Sequence, residues 1–269
     1  MKRWHKFGLC VPVVALMAGG SWAWGADRTP TAERSIAQPH AAAPAAAVDT
    51  AVESKYTPIT PCRIVDTRKG PGRLSAGATR SYYAVSTGGF VAQGGTSGGC
   101  GIPYSATAIQ ATVTSIAATG KGWLRAYPSN AAAPGATFLN YTNAFNASGA
   151  GSITLYTGGV TDFKVTNYGY ATNLVIDVQG YYVKPMWAVI AASGSITRRS
   201  RLNGTAHTPG SGEYDLTFDR DISTCGVTST PVLSGYTVGS QAGGGGKLFV
   251  FVKLAGTYVD APFYATVTC

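Results

Sequence analysis

Carboxylates, histidines and long apolar runs are all in short supply in this chain, and each shortage rules something out. Of 269 residues only 12 are Asp or Glu, against 21 Lys or Arg, so the balance is basic although charge is sparse. The three histidines are His5, His40 and His207, and only His207 falls in a stretch able to fold. One histidine beside cysteines that pair with each other cannot complete a structural zinc site. A Ser–His–Asp triad through His207 would need Asp215 or Asp219 and an activated serine, and no Gly-Xaa-Ser-Xaa-Gly elbow is present. Asp219-Arg220-Asp221 lacks the spacing and closing glutamate of a calcium loop. It reads as a solvated turn or a pair with Arg220, with Ca²⁺ near Asp219 and Asp221 as the alternative. The basic spot Arg198-Arg-Ser-Arg201 comes without any nucleic-acid fold signature. It reads as a solvated hairpin edge that blocks strand-to-strand pairing, with a contact to phosphate or sulfate groups as the alternative. No segment shows a helical repeat of apolar residues. The sequence therefore predicts no enzyme, no cofactor, no metal centre and no specific nucleic-acid partner.

What is present begins with an export signal. Lys2, Arg3 and Lys6 precede an apolar run over residues 7–20, and Ser21-Trp-Ala23 supplies small residues for cleavage. The expected signal peptide spans 1–26, with cleavage near Ala23 to Ala26, and removes Cys10. Its apolar run is too short for a membrane span, which takes about 20 apolar residues, and no second run follows, so no transmembrane anchor is expected. Residues 27–54 are rich in Ala, Pro and Thr and too poor in large apolar side chains to bury a core; they read as a disordered linker. The expected location is secreted, extracellular or at the cell surface. Four cysteines remain, Cys62, Cys100, Cys225 and Cys269. An even count in an exported chain predicts disulfides, formally with three connectivities. Spacing favours Cys62–Cys100 and Cys225–Cys269, each stabilising by roughly 3–4 kcal/mol in the chain-entropy model.

From Lys55 onward, short segments of period two alternate with glycine clusters. Ile109, Ala111 and Val113 share one face of a strand, and Leu174, Ile176 and Val178 share one face of another. Expected strands include 63–67, 79–85, 107–116, 122–127, 137–141, 152–156, 162–166 and 172–183. Lys184-Pro185 marks a break, and eight further short strands follow, among them 213–218, 232–237, 247–253 and 263–269. Gly243-Gly-Gly-Gly246 must be a loop, because four glycines cost too much entropy inside a strand. The predicted fold is all-β: a β-sandwich or jelly-roll-like domain over 55–185 and a second, small β-domain over 186–269.

Between Lys55 and Lys184 ten Lys and Arg face three Asp, a net +7, whereas the C-terminal part carries six basic against five acidic residues, +1. A basic exported domain favours anionic partners such as acidic polysaccharide. Aromatics crowd the same region, and one of each adjacent Tyr pair must point outward. Exposed rings beside Asn, Thr and Arg suit sugar C–H faces. Tyr82, Trp123, Arg125, Tyr127, Tyr141 and Tyr181 are the candidate ligand-binding residues. Asp66 and Asp177 lie on the first and last strands of this module. They read as structural carboxylates held by Arg63, Arg68, Thr67 or backbone amides; a glycosidase pair is the alternative.

The module resembles a β-rich domain of exported bacterial proteins. The resemblance rests on Thr60-Pro-Cys-Arg-Ile-Val-Asp-Thr-Arg68, Cys100-Gly-Ile-Pro103, Gly122-Trp-Leu-Arg-Ala-Tyr-Pro128, Leu139-Asn-Tyr141 and Leu174-Val-Ile-Asp-Val-Gln-Gly-Tyr-Tyr182. The second half is similar to a short C-terminal β-module of exported bacterial proteins through Trp187-Ala-Val-Ile190, Gly212–Arg220 and Ala261–Cys269, and resembles fibre-tip and lectin-like domains. These resemblances imply a surface-exposed or secreted module without enzymatic activity. The function expected is binding or adhesion to a glycan, an anionic surface polymer or extracellular matrix. The alternatives are a structural subunit of an extracellular fibre, which would be a homo-oligomer, and a polysaccharide hydrolase acting through Asp66 and Asp177.

Overall fold

The computed structural model describes residues 53–269; the expected signal peptide, nearly all of the linker, Cys10, His5 and His40 lie outside the described residues. The described residues form 17 strands and one 3-10 turn, Val91–Gln93, with no α-helix among them, so the all-β expectation holds. No helix among them is long and apolar enough to cross a membrane.

The first eight strands are β1 (Lys55–Asp66), β2 (Thr79–Tyr82), β3 (Ala106–Ile116), β4 (Gly122–Pro128), β5 (Leu139–Tyr141), β6 (Ala147–Thr154), β7 (Phe163–Asn167) and β8 (Asn173–Val183). They make two four-stranded antiparallel sheets, ordered β1-β8-β3-β6 and β2-β7-β4-β5. Alternate residues of both sheets enter one apolar cluster: Ile109, Val113, Ile176 and Val178 from the first, Tyr82, Leu124, Phe163 and Val165 from the second. Burying each such side chain contributes about 1.5–3 kcal/mol. The remaining strands are β9 (Met186–Ile190), β10 (Ile196–Ser200), β11 (Leu202–His207), β12 (Glu213–Phe218), β13 (Gly226–Pro231), β14 (Tyr236–Ala242), β15 (Lys247–Leu254), β16 (Thr257–Tyr258) and β17 (Phe263–Thr268). Their sheets are ordered β10-β9-β17-β13 and β11-β12-β15-β14, with β16 paired to β15, and they share a second apolar cluster that includes Ile190, Leu216, Val250 and Phe263. The two clusters part between Val183 and Met186, on either side of Lys184-Pro185. Across that join Lys55 Nζ donates to the Cys269 carbonyl at 2.9 Å, and Arg201 donates to the Lys184 carbonyl at 3.3 Å.

Both disulfides form as the spacing favoured, Cys62–Cys100 with 5.8 Å and Cys225–Cys269 with 4.5 Å between Cα atoms. Two such bridges point to folding in an oxidising environment.

Three strands depart from the sequence expectation for identifiable reasons. β1 starts at Lys55 rather than Arg63, in spite of Pro58 and Pro61. It lies at a sheet edge, where a proline forfeits no essential ladder bond, and its register slips between Pro58 and Cys62. β6 begins at Ala147 rather than Ser152. Its weak strand formers lie against Phe138: a Cβ on Gly149 would stand 3.2 Å from the Phe138 carbonyl oxygen and one on Gly151 3.3 Å from its ring, so the glycines make room for that residue. β14 begins at Tyr236, after a turn at Gly235 with φ +83°, which places most of the expected 232–237 strand in a connection. The Gly243–Gly246 loop forms as expected, closed by Gly243 N–H donating to the Lys247 carbonyl at 2.7 Å.

Candidate functional site

Period-two alternation divides β4 cleanly. Leu124 and Ala126 pack into the core, so Trp123, Arg125 and Tyr127 point to the opposite face of the sheet. Antiparallel pairing sets Asn140 beside Trp123, Thr166 beside Arg125 and Lys164 beside Tyr127. Just beyond β7, Tyr168 donates its N–H to the Trp123 carbonyl at 2.9 Å, which carries its side chain to the same place. The Trp123 and Tyr168 rings stack with centroids 5.8 Å apart and planes 6° from parallel. The Arg125 guanidinium carbon lies 4.4 Å from the centroid of Tyr168, a cation–π contact.

Next to this stack opens a pocket of about 630 Å³, lined by Lys121, Trp123, Tyr141, Tyr168 and Tyr170 among others. Trp123 is 40% exposed and Tyr170 58%, so both rings are offered to solvent. The floor requires glycine. A Cβ on Gly169 would stand 2.3 Å from the Gly122 Cα, and one on Gly120 would stand 2.4 Å from the Tyr170 ring. Tyr141 is buried beneath, its hydroxyl shared between Asn167 Oδ1 and the Tyr170 carbonyl, and burial raises its phenol pKa. The Asn167 amide in turn faces the carbonyls of Leu74, Ser75 and Tyr170 at 2.8–3.2 Å, which fixes the 168–170 turn against its neighbours.

Of the six candidate ligand-binding residues, Trp123 and Arg125 meet at this site and Tyr141 supports it from below. The other three do not. Tyr82 is wholly buried, 5.6 Å from Phe163 in the core, because it points inward from β2; it cannot touch a ligand. Tyr127 is 7% exposed, and its hydroxyl is committed to Thr166 Oγ1 at 2.7 Å, so its ring is structural. Tyr181 belongs to β8 of the other sheet and packs partly into the core. Tyr168, Tyr170, Lys121 and Asn140 complete the site. Tyr168 and Tyr170 belong to the aromatic crowding, and with Lys121 they fall in the small-residue spacing Tyr168-Gly-Tyr170 and Gly120-Lys-Gly122, which lets rings lie on bare backbone; Asn140 arrives only through its pairing with Trp123.

The carboxylates lie elsewhere and are engaged. Asp66 is fully buried and accepts from Arg68 Nε and NH2 at 2.8 and 2.7 Å, with Arg63 NH1 at 3.5 Å. Hydrogen bonding from Arg68, aided by its charge and that of Arg63, outweighs burial and holds this carboxyl below the usual range. Asp177 pairs bidentately with Arg63 at 2.8 and 3.0 Å. Asp162, which the sequence did not single out, is buried and accepts the Ala84 and Val85 amides at 2.7 and 3.0 Å.

In the C-terminal half His207 Nδ1 donates to the Glu213 carbonyl at 2.8 Å, and its ring stacks on Tyr214 at 4.1 Å. Its Nε2 lies 3.2 Å from Asp260, rather than from the Asp215 or Asp219 that a triad would have used. Burial opposes ionisation of Asp260, but the Gly210 and Gly212 amides and the His207 ring prevail, so its carboxyl sits below the usual range. Asp219 is paired with Arg201 at 2.8 Å, and Asp221 accepts from Ser223, so their oxygens are taken up by the protein. No group of three or more metal-ligating side chains occurs among the described residues.

No protein-family model and no curated protein matches this chain.

Proposed function

We propose that this is an exported, non-catalytic binding protein whose ligand is a glycan held in the Trp123–Tyr168–Tyr170 pocket. The observation that carries this reading is an open, aromatic-walled pocket with two exposed rings on a rigid sheet face. Sugar C–H faces stack on such rings, while Asn140 beside Trp123 offers an amide to hydroxyls. The disulfides and the amino-terminal signal support work outside the cytoplasm. The hydrolase reading loses its chemistry: a buried Asp66 kept ionised by Arg68 is a poor proton donor, and Asp177 is spent on Arg63.

A glycan array followed by calorimetry on the mature protein tests this. Trp123→Ala removes a ring contact of about 1.5 kcal/mol, and the expected loss of affinity is about tenfold. Absence of binding to any polysaccharide, or full affinity in Trp123→Ala, overturns the proposal.

A further inference from the structure

Arg125 stands out among the cations of the first half of the chain. Its Nε is buried and has no hydrogen-bond partner. None of the ion pairs among the described residues includes it. What holds it is the Tyr168 ring, at 4.4 Å, and that same ring stacks with Trp123 at the pocket wall. Buried donors are normally satisfied, and an exception calls for a reason. The buried Nε is itself closed to a ligand, but the two terminal nitrogens, which enter no ion pair, are braced by the aromatic face to receive an oxyanion through two parallel hydrogen bonds.

The surroundings point the same way. Residues 67–161 contain no Asp or Glu at all, and they supply the pocket lining apart from Tyr168, Gly169 and Tyr170. Lys121 lines the pocket, and Lys164 sits across the sheet from Tyr127. The three carboxylates between Lys55 and Lys184, namely Asp66, Asp162 and Asp177, are engaged by Arg63, Arg68 and backbone amides rather than by Arg125. A neutral sugar would use the rings and leave Arg125 unanswered.

We propose that the glycan taken by this site is built of uronic acids, with one sugar ring in the Trp123–Tyr170 pocket and a carboxylate on Arg125. This rests on the glycan reading above and adds the charge of the ligand and the residue that reads it. Trp123 and Arg125 are two positions apart on one face, about 7 Å along the strand, so ring and carboxylate can belong to the same or to adjacent sugars.

The test measures binding of the mature protein to polygalacturonate and alginate, and to the same polymers after reduction of their carboxyl groups to alcohols. The expected result is at least tenfold weaker binding to the reduced polymers. Arg125→Met is expected to bind both forms equally, Arg125→Lys to retain part of the preference, and Trp123→Ala to weaken binding to both. Equal affinity of the unmodified protein for charged and reduced polymers overturns the uronate assignment and leaves the glycan reading standing, provided Trp123→Ala still weakens both. Tight binding confined to sulfated polymers likewise overturns it. No binding to either form, with no response to Trp123→Ala on any glycan, overturns both. The reduced-polymer comparison uses the unmodified protein and holds even if a variant fails to fold.

Discussion

Replacing Asp66 by Asn is the sharpest test of how the first module is held together. Asp66 ends β1 and is inaccessible to solvent, roofed by the 93–96 segment. Gly94 packs so closely that a Cβ there would fall 2.0 Å from the Asp66 carbonyl oxygen, and Thr96 N–H donates to the Arg63 carbonyl at 2.9 Å. Gln93 clamps the same segment, its amide donating to the Ile64 and Tyr83 carbonyls at 2.7 and 2.9 Å. Asn keeps the shape of Asp but loses the charge and can accept from Arg68 through one oxygen only. Each charge-assisted hydrogen bond is worth about 1.5–3 kcal/mol. The cations left behind are half exposed, Arg68 at 44% and Arg63 at 39% of their side chains, so water and Asp177 recover part of the loss. The net expectation is a destabilisation of about 2–3 kcal/mol, which for a unit of this size lowers Tm by about 5–10 °C. The folded carboxyl titrates below its unfolded value of about 3.9. Its contribution is therefore complete above that value and disappears as pH falls through the folded pKa. Denaturant melts of the unmodified protein and Asp66→Asn between about pH 7 and pH 2 should show a gap that closes on the acid side. A variant within about 0.5 kcal/mol of the parent at neutral pH, or a gap unchanged by acid, refutes the argument.

Two further outcomes follow from covalent and steric constraints. Removing either disulfide by paired Cys→Ser replacement should cost about 4 kcal/mol in the chain-entropy model, since the bridged residues are 38 and 44 apart in sequence; calorimetry on the oxidised and substituted proteins checks this, and unchanged melting would count against it. Gly169→Ala should destabilise by about 1–3 kcal/mol and weaken glycan binding with it, because its Cβ meets the backbone of Gly122 and Lys121 at 2.3 and 2.7 Å; Gly135→Ala, with nothing within 4 Å, should do neither.

The parts of this architecture written locally were legible from the sequence. Alternation at Ile109, Ala111 and Val113 identified β3 and its inward face, and the glycine run at 243–246 identified a loop. Cysteine spacing anticipated both bridges. What escaped depends on partners distant in sequence. The first half of β1, with two prolines, is a strand because Lys55–Pro58 find Gly180–Val183 to pair with. The same limit applies to the site. Trp123 and Arg125 are two apart, so a strand reading places them together. Tyr168 and Tyr170 arrive from 45 residues further on, through β7 pairing with β4 and through bare glycine backbone at 122 and 169. Tyr82 and Tyr127 mark the reverse error: composition cannot tell which rings are covered, and Tyr82 faces the core while Tyr127, on the outer face, is buried with its hydroxyl on Thr166.

The physical logic of the site lies in a division of labour within one strand. Leu124, wholly buried, and Ala126, packed on the same core, fix β4 from within. Trp123 and Arg125, on the other face, therefore inherit a backbone that cannot shift without breaking that packing. Tyr168 then locks both side chains at once, stacking with the indole and bracing the guanidinium. The rotamer freedom that a ligand would otherwise have to remove is largely gone before binding. The cost is an arginine held away from any counter-charge. Between Lys55 and Lys184 the three carboxylates are directed into Arg63, Arg68 and backbone amides instead, which leaves this stretch a net surplus of positive charge.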